Sequence, residues 1–167
     1  MEEIFDYAMK MEQDGREYYE KMASETDVPA LKKILEGLAE DEIKHYNIFK
    51  SLKERNVDRL GELSGQDTQM VTTTKNVFEQ MKNEKGEYSF DGNVMEVWRH
   101  AQDVEKKSED FYRDKAKEVN DDQARGLLNK IADEEHKHWA IIENVMHFLN
   151  KPKTYLEDAE FSNLEDF

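Results

Sequence analysis

Apolar residues recur with the 3.6-residue period of an amphipathic α-helix along four long segments of this chain. The segments cover residues 1–26, 29–55, 93–119 and 121–150. Asp27 and Asn120 precede the second and fourth segments, where a side-chain oxygen can cap a helix. Pro29 suits the first turn of the second helix, and Pro152 prevents the fourth from extending much further. The pattern predicts an all-α fold built from four long helices.

Residues 56–92 connect the second helix to the third, and this connection is long for a compact domain. Several glycines interrupt it, and one short helix is predicted around residues 73–82. A helix of about 26 residues spans roughly 40 Å at ~1.5 Å per residue, a length that this connector can traverse. The chain is therefore expected to form two helical hairpins joined by a long crossover, with residues 1–150 as one domain.

Residues 151–167 form an acidic C-terminal tail that also carries apolar side chains. The acids include Glu157, Asp158, Glu160, Glu165 and Asp166, and the apolar residues include Tyr155, Leu156, Phe161, Leu164 and Phe167. Two interpretations stay open at this point. The tail is either a frayed terminus or a segment that packs back on the helices or on a partner subunit.

Composition excludes several classes of function. The formal charge of −15 argues against binding to nucleic acid or to anionic membranes, and it favours the attraction of cations. The absence of cysteine excludes disulfides and thiolate-bound metal centres within these residues. The acidic N-terminus has no apolar signal core, and the chain has no apolar run of membrane-spanning length. These features predict a cytoplasmic protein.

The strongest chemical signal is a repeat between the two halves of the chain, at an offset of 93 residues. Glu42-x-x-His45 recurs as Glu135-x-x-His138, and Ala8-x-x-x-Glu12 recurs as Ala101-x-x-x-Glu105. One Glu-x-x-His pair is weak evidence, because a solvated surface pair has the same spacing. Two pairs in register with two further glutamates on apolar helix faces indicate a shared site.

Four carboxylates and two imidazoles form the ligand set of a two-metal centre in a four-helix bundle. Unpartnered buried carboxylates are severely unfavourable, and two divalent cations would balance their charge. By symmetry, Glu42 and Glu135 are predicted to bridge the metals, with His45 and His138 as terminal ligands. Glu12 and Glu105 would each bind one metal. An oxygen-rich site with one imidazole per metal suits iron or manganese better than structural zinc.

Further polar residues occupy positions around this predicted centre. Tyr19 and Tyr112 lie about two turns beyond the first-helix and third-helix glutamates and are predicted to donate hydrogen bonds to carboxylates. Core packing with an exposed hydroxyl is the alternative for both. Asp41 and Glu134 directly precede the bridging glutamates, and each is predicted to accept the second ring N–H of the histidine in the opposite half.

The pattern of these residues resembles the rubrerythrin-like branch of the ferritin superfamily, over residues 1–150. The matching motif is Ala8-x-x-x-Glu12-x-x-Gly15-x-x-Tyr18-Tyr19-x-x-x-Ala23, repeated as Ala101-x-x-x-Glu105-x-x-Ser108-x-x-Phe111-Tyr112-x-x-x-Ala116, with the two Glu-x-x-His pairs. The resemblance implies a ferritin-like four-helix bundle with a non-haem di-iron centre of two iron ions per chain. It further implies reaction with hydrogen peroxide or dioxygen, and a homodimer or larger assembly.

The chain departs from this family in two respects. Typical rubrerythrins carry a rubredoxin-like iron–cysteine domain that supplies electrons, whereas this sequence contains no cysteine. Electrons would come from an external donor such as a rubredoxin. Typical members also carry a glutamate three residues after the third-helix ligand, where this chain has Ser108, with Glu109 following it.

Three functions are consistent with these features. The first is a di-iron oxidoreductase that most readily reduces hydrogen peroxide. The second is a ferroxidase or iron-binding protein for iron handling, and the third is a metal-stabilised interaction module without turnover. The mass of the assembly and the reaction with each oxidant would discriminate between them.

Overall fold

The computed structural model describes residues 1–84, 86–157 and 164. Over these residues the elements are α1 (Glu2–Glu25), α2 (Pro29–Glu54), α3 (Val57–Ser64), α4 (Met70–Glu84), α5 (Gly92–Glu118), α6 (Asp122–Asn150) and α7 (Pro152–Glu157). None of the described residues forms a strand, so the prediction of an all-α fold is confirmed. The four long helices begin and end within one residue of their predicted bounds. Within the same residues, no helix is long and apolar enough to span a membrane.

The predicted caps of two helices are wrong by one residue. Val28, which precedes Pro29, is extended and takes the N-cap position of α2 without a side-chain hydrogen bond. The residue before a proline avoids the helical backbone conformation, so Val28 is the last residue outside the helix. Asp27 therefore lies one position before the N-cap. At α6, Asp121 rather than Asn120 caps the helix, and its carboxylate accepts a hydrogen bond from the Ala124 N–H.

The long helices pair as two hairpins, α1 with α2 and α5 with α6. Apolar side chains between the hairpins form two clusters, one at each end of the bundle. The first contains Leu38 and Ile141 among others, and the second contains Phe49 and Leu128. On each long helix a polar stretch separates the residues of the two clusters. The bundle therefore holds its polar groups between two apolar layers.

Over the residues of the crossover that the structure describes there are two helices, α3 and α4, whereas the sequence predicts one around residues 73–82. The later helix, α4, is longer than predicted and contacts both α2 and α6. The first helix of the crossover, α3, is not predicted because Gly61 and Gly65 favour a loop interpretation. The Asn56 side chain caps α3 by accepting from the Arg59 N–H, and the helix buries Leu60 and Leu63.

The C-terminal tail packs back on the bundle over the part that the structure describes. Helix α7 buries Tyr155, whose ring contacts Phe78 and Phe148 and whose hydroxyl donates to Asn144 Oδ1 at 2.9 Å. Leu164 is also buried. The frayed-terminus interpretation is therefore wrong for residues 152–157. Asp158, Glu160, Phe161, Glu165, Asp166 and Phe167 lie outside the described residues.

Candidate metal centre

Six side chains with metal-ligating groups meet between the two apolar clusters, and each is at most 4% exposed. They are Glu12 on α1, Glu42 and His45 on α2, Glu105 on α5, and Glu135 and His138 on α6. Positions i and i+3 share one helix face, so the two members of each Glu-x-x-His pair point inward together. The structure thus brings together all six residues that the repeat singles out.

The six side chains form two overlapping groups, each suited to surround one metal ion. One group is Glu12, Glu42, His45 and Glu135, and the other is Glu42, Glu105, Glu135 and His138. In each group, one ligand atom per residue lies within 4.8 Å of the others. Glu42 and Glu135 belong to both groups, which is the position that bridging carboxylates would occupy. The ligand roles themselves stay a prediction.

The two histidine rings are oriented alike, and each is held by a carboxylate from the opposite hairpin. His45 Nε2 lies 2.5 Å from Glu134 Oε2, and His138 Nε2 lies 2.8 Å from Asp41 Oδ2. The Nδ1 atoms face the centre, that of His45 at 2.9 Å from Glu135 Oε1. A carboxylate that accepts from Nε2–H leaves Nδ1 available to bind a metal. The predicted partners of both rings are confirmed.

The two buried tyrosines contact the centre reciprocally. The Tyr19 hydroxyl donates to Glu105 Oε1, and the Tyr112 hydroxyl donates to Glu12 Oε1 at 2.6 Å. Burial, and then the adjacent glutamate, raises the pKa of each tyrosine well above its ordinary value. Both phenols therefore keep their protons and act as hydrogen-bond donors. The predicted hydrogen bonds are confirmed, and the exposed-hydroxyl alternative is wrong.

Without metal, the cluster holds extra protons. Burial and neighbouring carboxylates raise the pKa of Glu42 and Glu105 well above the ordinary value. Burial alone would raise the pKa of Glu135 as well, but its close contacts with Glu105 and both histidines keep that pKa well below the ordinary value. Burial alone would lower the pKa of His45 and His138, but the surrounding carboxylates raise it well above the ordinary value. Protonated imidazoles thus supply positive charge among the carboxylates.

The polar atoms at the centre fit a pair of metal ions. Four buried atoms in these six residues have no hydrogen-bond partner among the described residues: Glu12 Oε2, Glu42 Oε1, Glu105 Oε2 and His138 Nδ1. A buried polar atom without a partner costs about 1–3 kcal/mol. All four atoms belong to residues of the two groups above. Divalent cations would satisfy them and neutralise the carboxylates, and oxygen with imidazole nitrogen suits iron or manganese.

Thr68, in the loop between α3 and α4, contacts both carboxylates that hold the histidine rings. Its N–H donates to Glu134 Oε1 at 3.1 Å, and its hydroxyl donates to Asp41 Oδ2. The sequence does not single out Thr68, because this residue belongs to neither half of the repeat. A polar residue just before the start of α4 was the available signal, and it indicates no more than a helix cap.

A small cavity of about 10 Å³ lies against the centre, between α1 and α5. Glu42, Glu105 and Glu135 line it, together with Gly15 and Ser108. A Cβ atom at Gly15 would lie 3.1 Å from Glu42 Oε2, so glycine permits the close approach of this carboxylate. A volume of this size holds roughly one water molecule. The cavity thus admits only a very small molecule beside the carboxylates.

Glu109 does not replace the glutamate that Ser108 displaces from the family pattern. Its carboxylate accepts from Arg113 Nε at 3.1 Å and lies 3.2 Å from His136 Nδ1. It belongs to neither of the two groups of candidate ligands. Position 108 on α5 therefore contributes a hydroxyl rather than a carboxylate to the lining of the cavity.

Comparison with known families agrees with this geometry. The Rubrerythrin family profile matches residues 3–146, which include all six candidate ligands. The chain belongs to the rubrerythrin family. The match corresponds to the ferritin-like di-iron domain of that family, so the predicted fold class is confirmed. Searches of curated proteins and of solved structures give no match for this chain.

Metal binding by this rubrerythrin-family chain is expected to weaken as the pH falls. The pKa values of His45 and His138 are raised, so metal must displace protons from both rings. Affinity should rise with pH across neutrality, and metal should be lost below about pH 6, given an ordinary histidine pKa of ~6.5. Proton release on metal addition, followed with an indicator dye in weak buffer, measures the effect. Full occupancy down to about pH 4 would contradict imidazole ligation.

Proposed function

We propose that this protein is a non-haem di-iron oxidoreductase that reduces hydrogen peroxide with electrons from an external donor. The observation that supports it best is the pair of overlapping buried ligand groups, whose residues include four buried atoms without a hydrogen-bond partner among the described residues. Membership of the rubrerythrin family supports iron as the metal. Two iron ions per chain would supply the two electrons that split the O–O bond.

The residues around the centre suit the reduction of a very small oxidant. Reduction of one hydrogen peroxide consumes two electrons and two protons and yields two water molecules. Tyr19 and Tyr112 keep Glu105 and Glu12 in place through their hydroxyl groups. The cavity beside Gly15 and the shared carboxylates has room for about one water-sized molecule next to the centre.

The electron donor is proposed to be a separate protein, such as a rubredoxin. No cysteine is present to build an iron–cysteine relay within these residues. The six candidate ligands are almost fully buried, so electrons would have to reach the centre through the surrounding protein. A homodimer is proposed by analogy with the family, and the native assembly can be measured by light scattering.

Reduced, iron-loaded protein is expected to undergo one fast two-electron oxidation by hydrogen peroxide and then stop. Turnover should resume only when a reductant such as rubredoxin with its reductase is added, because these residues provide no internal relay. Anaerobic rapid mixing with each oxidant, followed by the near-ultraviolet absorbance of ferric iron, measures both phases. Because Ser108 replaces the family glutamate, the preference for peroxide over dioxygen should be modest.

Iron handling is the outcome that would replace this proposal. It predicts faster reaction with dioxygen than with peroxide, and elution as a large shell that accumulates iron. An interaction module without turnover predicts bound metal that reacts with neither oxidant. Comparing the two oxidation rates with the assembled mass therefore separates the three functions.

A further inference from the structure

Thr68 connects the two halves of the metal centre from outside the repeat. It lies between α3 and α4, and its neighbours in space are Asp41 on α2 and Glu134 on α6. These two carboxylates hold the Nε2 atoms of His138 and His45, respectively. Both chains of hydrogen bonds, one to each candidate metal position, thus meet at a single residue of the crossover.

We propose that Thr68 is a positioning residue that fixes both histidine rings through Asp41 and Glu134 and thereby links the two metal positions. The proposal rests on the proposed two-metal centre. It concerns the orientation of His45 and His138 rather than any contact between Thr68 and the metals. Replacement of groups that orient metal-binding histidines in this way typically lowers metal affinity by roughly 10–100-fold.

The way in which the two carboxylates share their oxygens supports this role. Asp41 Oδ2 contacts both the Thr68 hydroxyl and His138 Nε2, so the two donors share one oxygen atom. Glu134 uses Oε1 for the Thr68 N–H and Oε2 for His45 Nε2, so its carboxylate is held at both ends. Loss of the Thr68 hydroxyl would free Asp41 to rotate, and the His138 ring would lose its fixed partner.

The loop that carries Thr68 is itself held against the bundle. Lys130 on α6 forms an ion pair with Asp67 at 2.9 Å and donates to the Ser64 carbonyl. The Thr68 hydroxyl oxygen also accepts from the Met70 N–H at 3.2 Å, at the start of α4. Thr68 therefore has an alternative role as a cap of α4, and a test must separate helix capping from the positioning of the histidines.

Three variants of the full chain separate these roles. Thr68→Val removes the hydroxyl at nearly constant shape, and Thr68→Ser restores it. Thr74→Val is the matched control, because Thr74 is a buried threonine of α4 whose hydroxyl has no hydrogen-bond partner in the described part of the chain. Thr68→Ala serves in place of Thr68→Val if the valine variant does not fold.

The first readout is the affinity for ferrous iron, measured anaerobically by competition with a chromophoric chelator. Thr68→Val is expected to weaken binding of the ion beside His138 by roughly 10-fold or more, whereas the backbone N–H that holds Glu134 is retained. Thr68→Ser should regain most of this affinity, and Thr74→Val should match the unmodified chain. Thermal unfolding of the metal-free proteins is measured in parallel. A lower melting temperature of Thr68→Val with unchanged affinity would assign Thr68 to helix capping and overturn the proposal.

The second readout is nuclear magnetic resonance of the zinc-loaded protein, in which the ring Nε2–H protons of His45 and His138 are observed. We expect the His138 proton to exchange faster with water in Thr68→Val than in Thr68→Ser or Thr74→Val, because the hydroxyl that holds Asp41 is lost. The His45 proton should change little, because the Thr68 N–H still holds Glu134. Unchanged exchange at His138 would overturn the proposal. If the unmodified chain binds no metal, the proposed function is wrong. If all variants bind metal equally well, only the role of Thr68 is wrong.

Discussion

A Glu42→Gln, Glu135→Gln double variant is expected to lose both metal ions. These two glutamates belong to both candidate ligand groups, so their replacement removes ligands from each position. Glutamine keeps the shape of the side chain but not its charge, and the loss should exceed the roughly 10–100-fold effect typical of residues beyond the ligands. Metal content per chain after iron loading and gel filtration measures the result.

Glu109→Gln is the matched control for this variant. Glu109 is a buried carboxylate one turn beyond Glu105 on α5, but it belongs to neither ligand group. Its replacement should leave two ions bound. In the metal-free double variant the two changes should have opposite effects on stability, because the pKa of Glu42 is raised by burial whereas, despite burial, contacts with Glu105 and both histidines keep the pKa of Glu135 well below its ordinary value. Full metal content in the double variant would refute the assignment of both glutamates.

Removal of metal is expected to lower the melting temperature by on the order of 20 °C, because binding to the folded state stabilises it. At about 1,000 times the dissociation constant, each ion contributes about 4 kcal/mol. For a domain of this size, about 1 kcal/mol corresponds to roughly 2–4 °C. Calorimetry of iron-loaded and chelator-treated protein measures the shift. Equal melting temperatures would mean that the folded state does not bind metal preferentially.

The difference in stability between metal-loaded and metal-free protein is expected to increase with pH. The raised pKa values of Glu42, Glu105 and the two histidines mean that the folded, metal-free protein binds more protons than the unfolded chain. The stability of the metal-free protein should therefore fall as the pH rises above about 4.3, the ordinary pKa of a glutamate. It should fall further above about 6.5, the ordinary pKa of a histidine. Bound metal replaces these protons, so the stabilisation by metal should increase with pH. Histidine titrates between roughly pH 6 and pH 8. If the difference in melting temperature between metal-loaded and metal-free protein is constant over this range, the predicted increase with pH is wrong.

The central part of the site could be predicted because its chemistry is repeated. Glu42 and Glu135, in register with their histidines, each occur at a position where a helix face is otherwise apolar. A helix also fixes which residues share a face, so the sequence places Tyr19 on the same face as Glu12 and Tyr112 on the same face as Glu105, with core packing as the open alternative. The hydrogen bonds of both tyrosines then follow from the packing of α1 against α5.

The features that could not be predicted depend on tertiary contacts of the crossover and the tail. Leu60 and Leu63 stabilise α3 by burial, although the local glycines favour a loop. The packing of Tyr155 against the bundle depends on its ring contact with Phe148, which the sequence pattern does not show. Thr68 lies far in sequence from Asp41 and Glu134, and no local pattern indicates that one loop residue contacts both.

The most direct test of the two-metal centre is anomalous X-ray diffraction from crystals of the iron-loaded protein, recorded on both sides of the iron absorption edge. We expect two iron peaks per chain among the six side chains. One should lie at bonding distance from His45 Nδ1 and the Glu12 carboxylate, and the other from His138 Nδ1 and the Glu105 carboxylate. Glu42 and Glu135 should lie between the two peaks. A single peak, or peaks away from these residues, would rule out a two-iron centre at this site.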